Sequence, residues 1–440
     1  MDKKKSALTT KNFLKFIFPL ILGTQMTAYA GRVEIRATGP EAGWVHLRNE
    51  AAISAQSDPA ATGLRSRALA SADFDEDGVP DLVTGYANSD TGGTLSIQRG
   101  NVDAIYPNSP GAQARRDRGE FTTAAFLPGS KSFAVPEAAD FVGAGDFDAD
   151  GHWDVVTARN GGDKLYWFRG DGRGGFAEPK IIYLPGAITS LITGEMNRAD
   201  GLTDVVVGVV TSDGPRVLVF ESPNGALRGE PESFVLPAPA SALALGQLDD
   251  DSAADLAIAT GNEVMIVHGR DRKLSLDAEQ RATVKAAEVT RTVLESAPIS
   301  IAVGDFTGDA KQQLAVLTAD GNVRVLERGG ASDKEFQANK AMTLNVATSG
   351  PDGASPHRLL VTKVSSLPKD DLLVFGGTKA VSIVTTGRTP ALGQPNLTSA
   401  GSDRMSLAAS LSSDSEVTAV LPMRLNASAL KDLVLLDKSG

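Results

Sequence analysis

The chain contains no cysteine, few aromatic residues and only four histidines among its 440 residues. The absence of cysteine excludes disulfide bonds and thiolate metal sites. The histidines are scattered and have no repeated partner, which argues against a histidine-based catalytic centre; they are His46, His152, His268 and His357. No serine-nucleophile motif of the Gly-x-Ser-x-Gly kind stands out. We therefore expect a protein that is not an enzyme.

Long apolar runs are also absent, except near the N-terminus. There, the segment FIFPLILGT follows five lysines and precedes Ala28-Tyr29-Ala30. This pattern predicts a signal peptide over residues 1–30, cleaved after Ala30, and hence a secreted or cell-surface protein. A membrane anchor is the alternative, but the apolar stretch is shorter than the ~20 residues of a spanning helix. Removal of the leader takes the net charge from −11 to −15, which disfavours nucleic acid and anionic membranes as partners.

Two dense acidic segments, ADFDEDGVPDLVTG and GDFDADGHWDVVTA, repeat the same frame. Each has aspartate at positions 1, 3, 5 and 9 and glycine at position 6. Carboxylates at this spacing can converge on a hard cation such as Ca²⁺, and glycine permits the positive φ of a tight turn. The predicted ligands are Asp73, Asp75, Asp77 and Asp81 in the first loop, and Asp146, Asp148, Asp150 and Asp154 in the second.

The flanking sequences distinguish these loops from an EF-hand. An EF-hand requires a bidentate glutamate at position 12 and flanking helices. Position 12 is Thr84 in the first segment and Thr157 in the second, and β-branched runs follow both loops. Each loop is therefore predicted to join two strands.

The same frame recurs to the end of the chain. Its position-9 residues are 50 to 73 residues apart, and an apolar run follows each one; they are Asp81, Asp154, Asp204, Asp255, Gln313, Asp371 and Asp432. The fifth copy shows four strand-like segments with a hairpin turn in the middle. Seven such copies predict an all-β fold, a seven-bladed β-propeller of four-stranded antiparallel blades over residues 61–440.

These repeats resemble the FG-GAP/VCBS family found in the propellers of integrin α-subunits and in bacterial surface proteins. The resemblance rests on the two aspartate loops with Gly78 and Gly151, and on the segment GDGRGGF at 170–176. It implies a calcium-stabilised binding or adhesion module for an extracellular protein or carbohydrate ligand. A propeller-fold polysaccharide lyase or hydrolase, or a scaffold module of a larger surface protein, is the alternative.

The metal ligands become sparser along the chain. The third copy offers Glu195, Asn197, Asp200 and Asp204; the fourth offers Asp249, Asp251 and Asp255; the fifth offers Asp305 and Asp309. The sixth and seventh copies keep little more than the final aspartate. We expect two to five calcium ions, with the first two loops binding best.

The last repeat shows only two strands before the chain ends. The N-terminal segment, residues 31–60, contains two strand-like stretches, RVEIRA and GWVHLRN. We expect residues 32–49 to pair with residues 417–437 and close the ring, which removes two exposed sheet edges. Two long connections, 101–120 and 271–296, interrupt the repeat; the second is either a short helix or an outer strand pair.

Overall fold

A computed structural model describes residues 64–88, 92–329, 334–346, 357–365, 367–388 and 403–438. The predicted leader and the candidate closing strands at 32–49 lie outside these residues. The described part is almost entirely β, as the sequence predicts.

Twenty-four strands form six four-stranded antiparallel sheets, each a simple meander in chain order. Blade one contains β1 (Arg65–Ala72), β2 (Asp81–Ala87), β3 (Gly93–Gly100) and β4 (Phe126–Val135). Blade two contains β5 (Phe141–Gly145), β6 (Asp154–Ala158), β7 (Lys164–Phe168) and β8 (Lys180–Tyr183). Blade three contains β9 (Gly186–Gly194), β10 (Asp204–Thr211), β11 (Gly214–Phe220) and β12 (Glu232–Val235).

The second half of the ring repeats this order. Blade four contains β13 (Ala240–Gly246), β14 (Asp255–Thr260), β15 (Glu263–Val267) and β16 (Val289–Val293). Blade five contains β17 (Pro298–Gly304), β18 (Gln313–Thr318), β19 (Asn322–Arg328) and β20 (Phe336–Asn345). Blade six contains β21 (Arg358–Thr362), β22 (Asp371–Phe375), β23 (Ala380–Arg388) and β24 (Asp403–Ser412). A two-stranded sheet, β25 (Val417–Met423) and β26 (Asp432–Asp437), follows.

Burial explains the strand sequences. The second strands β2, β6, β14, β18 and β22 are buried along their whole length, because a neighbouring blade covers each face of the sheet. This is why each reads as an unbroken apolar run rather than an alternating one. The fourth strands β12 and β16 alternate between exposed and half-buried residues, as expected for strands at the outer rim.

The sheets follow one another around a ring. The first strands contact each other in chain order from β1 to β21, and β25 contacts both β22 and β1. An apolar cluster fills each interface between neighbouring sheets of the described residues, including the one that joins Met423 to Leu82 and Phe126. The Ser66 Oγ donates to the Asp437 carbonyl at 2.5 Å. The prediction of a propeller is confirmed, but the described residues form six four-stranded blades, not seven.

The two long connections are built differently from ordinary loops. The first holds short helices at Val102–Ile105 and Pro110–Arg118, capped by Asn101 and Ser109. The second holds a short helix, Ala278–Arg281, followed by β16, so both of the alternatives left open for it are partly realised. Within the described residues, no helix combines the length and the hydropathy that crossing a membrane requires.

Candidate metal centres

The first two acidic loops connect the first and second strands of blades one and two. The loops turn through residues of positive φ at position 4 (Glu76 and Ala149) and at position 6. Gly78 has φ 91° and Gly151 has φ 88°, and a Cβ at either position would meet nothing within 4 Å. Backbone conformation, rather than space, therefore requires glycine there. Strands flank both loops, as predicted.

Three of the four predicted ligands converge in each of these loops. The carboxylate oxygens of Asp73, Asp75 and Asp81 lie within 4.8 Å of one another, and the same holds for Asp146, Asp148 and Asp154. The position-5 aspartates, Asp77 and Asp150, stand beside the cluster and accept the backbone N–H two residues on.

Backbone amides fix the clustered carboxylates in place. Asp73 accepts from the amides of Asp77 and Gly78 at 3.0 and 2.9 Å. Asp81 accepts from Phe74 at 3.0 Å and from Gly100 at 2.7 Å. The second loop repeats these contacts, and the Asp154 carboxylate also accepts from the Trp167 indole at 3.0 Å. Backbone hydrogen bonds that hold the carboxylates in place would lower the conformational cost of binding an ion.

One oxygen in each cluster lacks a hydrogen-bond partner. The side chains of Asp75 and Asp148 are 5% and 0% exposed, yet the Oδ1 atom of each is buried without a partner among the described residues. A buried carboxylate oxygen left unpaired is costly. A divalent cation at the cluster would satisfy it, so the residues of loops one and two fit such an ion.

Arginines partly neutralise both clusters, and sequence reasoning missed them. The Arg99 guanidinium contacts Asp75 and lies 3.6 Å from Asp77. Arg169 lies 2.6 Å from Asp148 and 3.0 Å from Asp150. Both arginines stand directly before a glycine at the end of the third strand, so the repeated Arg-Gly pair was a usable signal. Arg228, which lies 2.8 Å from Asp148, comes from the next blade and gave no such signal.

Burial raises the pKa of the position-9 carboxyls. Desolvation raises the pKa of Asp81 to about 7, against the hydrogen bonds from Gly100 and Phe74 and with help from the charges of Asp75 and Asp77. Desolvation likewise raises the pKa of Asp154 to about 6. Burial therefore disfavours the charged form of these carboxyls, and a bound cation would favour it.

Each loop is covered by the connection between the third and fourth strands of the following blade. The Gly174 amide, within the segment GDGRGGF, donates to the Phe74 carbonyl at 2.9 Å, and Leu227 donates to Phe147 at 3.2 Å. Phe176 packs edge-on against Phe74 with ring centres 5.5 Å apart. A Cβ on Gly225 would lie 2.2 Å from the Asp148 Cα. The loops are thus held by two blades at once.

The third loop does not bring its predicted ligands together. Asn197 has φ 61°; it accepts from the Arg270 amide of blade four and donates to Glu221 of its own blade at 2.7 Å. Glu195 accepts from the Asp200 amide at 3.0 Å. Desolvation raises the pKa of Asp204 to about 8, with the charges of Glu221 and Glu195 adding to it. The four residues share a loop but not a common centre.

The fourth loop holds a nitrogen among its carboxylates. Asp249 and Asp255 lie close to the buried imidazole of His268, at 3.1 and 3.5 Å. Lys334 approaches Asp249 at 3.5 Å. Burial lowers the pKa of His268, but the hydrogen bond and charge of Asp255 outweigh it and raise the pKa overall. Asp251 accepts from the Ala253 amide instead of joining the cluster.

In the fifth loop, Asp305 and Asp309 serve local hydrogen bonds. Asp305 accepts from the amides of Gly308 and Ala310 at 2.6 and 2.9 Å. Asp309 accepts from Thr307 Oγ1 and from the Lys311 amide at 2.8 and 3.1 Å. In the described residues, the three clusters with converging ligand atoms are those of loops one, two and four.

Comparison with known proteins agrees with this architecture. Residues 146–207 match the family model of the FG-GAP-like repeat. Among curated proteins, none gives a significant match to the sequence. A crystal structure of BBS1N in complex with ARL6DN, soaked with lead, is similar in fold, with a TM-score of 0.52 and 14% identity; the match covers 87% of this chain and 93% of that one. A second, soaked with mercury, has a TM-score of 0.50 at 14% identity and covers 87% and 92%.

The matched segment contains the whole of loop two and the strands β6 to β9 that follow it. The same strand–loop–strand unit recurs around the ring, so the FG-GAP-like repeat at 146–207 and the arrangement of the sheets together support an FG-GAP-like, integrin-α-like β-propeller.

Proposed function

We propose that this chain is a calcium-stabilised binding module that recognises an extracellular protein or carbohydrate ligand. The observation that carries the calcium part is the pair of buried, unpartnered oxygens, Asp75 Oδ1 and Asp148 Oδ1, each within a cluster of three carboxylates. Calcium prefers carboxylate and carbonyl oxygens and tolerates irregular geometry. The ion would be held by Asp73, Asp75 and Asp81 in loop one, and by Asp146, Asp148 and Asp154 in loop two. It would neutralise the clustered charge and tie each loop together.

Arg99 and Arg169 do not replace the ion in these two loops. Each arginine pairs with the Oδ2 side of the position-3 aspartate and leaves Oδ1 without a partner. In each loop, the Oδ1 side of this aspartate is therefore suited to one metal cation in addition to the arginine. Isothermal titration of the chelated chain with calcium tests this, and we expect about two ions. Asp75→Ala and Asp148→Ala should each remove one, whereas Asp213→Ala, in an exposed hairpin turn, should remove none.

The binding role is supported by the scaffold. Propellers present long connections on a rigid ring, and such connections often carry recognition. The BBS1N propeller is in a complex with ARL6DN, which supports a protein ligand for a ring of this kind. The insertion between β3 and β4, which holds two short helices, is one such connection. The catalytic alternative has no observation in its favour among the described residues.

The choice between ligand classes can be tested directly. The mature chain is immobilised and screened against glycans and extracellular matrix proteins with calcium and with chelator. Binding that depends on calcium and is weakened in Asp148→Ala supports the proposal. Binding that is indifferent to both would show that the ions and recognition are unrelated.

We propose that β25 and β26 are the inner half of a seventh blade that residues 32–49 complete. The support is the position of this pair, which packs against blade six on one side and blade one on the other. A chain that begins near residue 60 should melt at a lower temperature than the mature chain or should self-associate. An unchanged, monomeric truncation would exclude these residues from the ring.

A further inference from the structure

Gln313 occupies position 9 of the fifth loop, where the first two loops have aspartate. Its side chain is buried, with 6% of the residue exposed. The Gln313 Oε1 atom accepts from the Phe306 amide at 2.7 Å, which repeats the bonds that Asp81 and Asp154 accept from Phe74 and Phe147. The oxygen of the amide is therefore assigned by this donor, and the nitrogen must point into the loop.

The amide nitrogen meets three oxygens there. Gln313 Nε2 lies 3.0 Å from Thr307 Oγ1, 3.2 Å from Asp309 Oδ1 and 2.6 Å from the Lys311 carbonyl. These oxygens belong to positions 3, 5 and 7 of the loop, the places from which such a loop offers ligands to a calcium ion. A neutral amide with two N–H groups thus contacts the loop oxygens at the place where a cation would be expected.

The glutamine at position 9 also changes the hydrogen bond that the second carboxylate oxygen accepts in other loops. In loops one, two and four, a glycine amide after the third strand donates to the second oxygen of the position-9 aspartate. Gln313 has a nitrogen in that place and cannot accept. The equivalent amide, that of Gly329, donates instead to the Glu335 carbonyl at 3.0 Å.

Other degenerate loops follow the same principle with different groups. His268 lies among the carboxylates of loop four. In the seventh loop, Asn426 Nδ2 donates to Asp432 at 2.9 Å. Loops one and two differ because each keeps a buried carboxylate oxygen without a hydrogen-bond partner, and loop five has no such atom among the described residues.

We propose that the amide nitrogen of Gln313 takes the place of a metal ion in the fifth loop, so that this loop is ordered without calcium and lies one substitution away from a cation site. The inference rests on the proposed function only in assigning calcium to loops one and two. It refines the predicted stoichiometry, because Asp305 and Asp309 then serve the loop's own hydrogen bonds.

Hydrogen exchange of the full chain, followed by mass spectrometry, tests the first half of the proposal. Exchange in residues 305–318 should differ by less than twofold between calcium and chelator, while the amides of loops one and two should be slowed by calcium. Gln313→Ala should speed exchange in 305–318 by about tenfold in either condition, because the Phe306 amide and the Lys311 carbonyl lose the Gln313 amide as their partner. Gln280→Ala, on an exposed helix, should leave this segment unchanged. A tenfold calcium effect on 305–318 in the unsubstituted chain would overturn the proposal.

Calcium titration of Gln313→Asp tests the second half. This variant should bind one ion more than the unsubstituted chain, and calcium should slow its exchange in 305–318. Gln280→Asp adds the same charge outside the loops and should bind no additional ion. A folded Gln313→Asp chain that gains no ion would refute the proposal, and if this variant does not fold, the exchange of the unsubstituted chain and of Gln313→Ala decides. Absence of ions from loops one and two would contradict the proposed function alone.

Discussion

Removal of calcium should destabilise the ring without unfolding it outright. The perturbation is an excess of chelator at pH 7. In loops one and two it would leave two clusters of three carboxylates, each compensated only by the arginines at their edge. At a free calcium concentration near 100 times the dissociation constant, each ion contributes about 2.7 kcal/mol to the free energy of unfolding, so two ions contribute about 5 kcal/mol. With an unfolding entropy of ~2.1 cal/mol/K per residue, a chain of this length should melt about 6 °C lower.

Differential scanning calorimetry with calcium, with magnesium and with chelator measures this shift. Magnesium should restore little of it, because its octahedral demands suit these irregular loops poorly. The double variant Asp75→Ala/Asp148→Ala should melt at one temperature in all three conditions. If chelation moves the midpoint of the unsubstituted chain by less than about 1 °C, the two unpartnered oxygens do not mark ion sites and the reasoning from them is refuted.

Three further outcomes are expected. In chelator, the free energy of unfolding should fall by about 4 kcal/mol as pH rises from about 4 to 7, because the pKa of Asp81 is about 7 in the folded chain and 3.8 ordinarily. The proton that Asp81 binds in the folded state is lost over this range. Urea unfolding at pH 5 and pH 8 measures the pH dependence, and calcium should reduce it. Gly225→Ala should weaken calcium binding by loop two at least tenfold, since its Cβ meets the Asp148 backbone. Gly214→Ala also has a positive φ but open space around its Cβ, and should not weaken binding; titration compares the two. Arg115→Ala should lower the free energy of unfolding by about 1–3 kcal/mol, because the Asp103 side chain, 3% exposed, loses its ion-pair partner at 2.5 Å. Arg118→Ala breaks only an exposed ion pair and should cost less. Equal losses of the two variants in urea unfolding would contradict this.

The local design of each blade follows from the sequence. The spacing of Asp73, Asp75 and Asp81 places three carboxylates in one turn, because a nine-residue strand–loop–strand unit leaves the chain few other paths. The glycine at position 6 and the apolar run after position 9 specify the turn and the buried second strand. Four strands per repeat were predicted and confirmed, since each strand pairs with its neighbour in the chain.

Whether the third and fifth loops bring their predicted ligands together could be decided only from the positions of the side chains. Sequence alone offers Asn197 as a ligand at the same loop position as Asp75, yet its side-chain amide bonds Glu221 and Arg270 instead. Gln313 reads as a lost ligand, although its nitrogen satisfies three loop oxygens. A side chain of one type can serve as a metal ligand or as a hydrogen-bond donor, and the positions of its neighbours determine which role it has.

Contacts between blades were decided by the tertiary structure alone. Arg228 reaches Asp148 across 80 positions of sequence, and Gly225 lies against the same loop. Ser66 meets Asp437 at the point where the ring closes. Such pairs depend on how far each blade rotates relative to the next, a quantity set by the packing of the apolar clusters between sheets rather than by the spacing of residues within one repeat. The sequence by itself therefore determined the unit and its candidate ligands, and the packing of unit against unit determined which of the described loops keep a buried carboxylate oxygen without a hydrogen-bond partner.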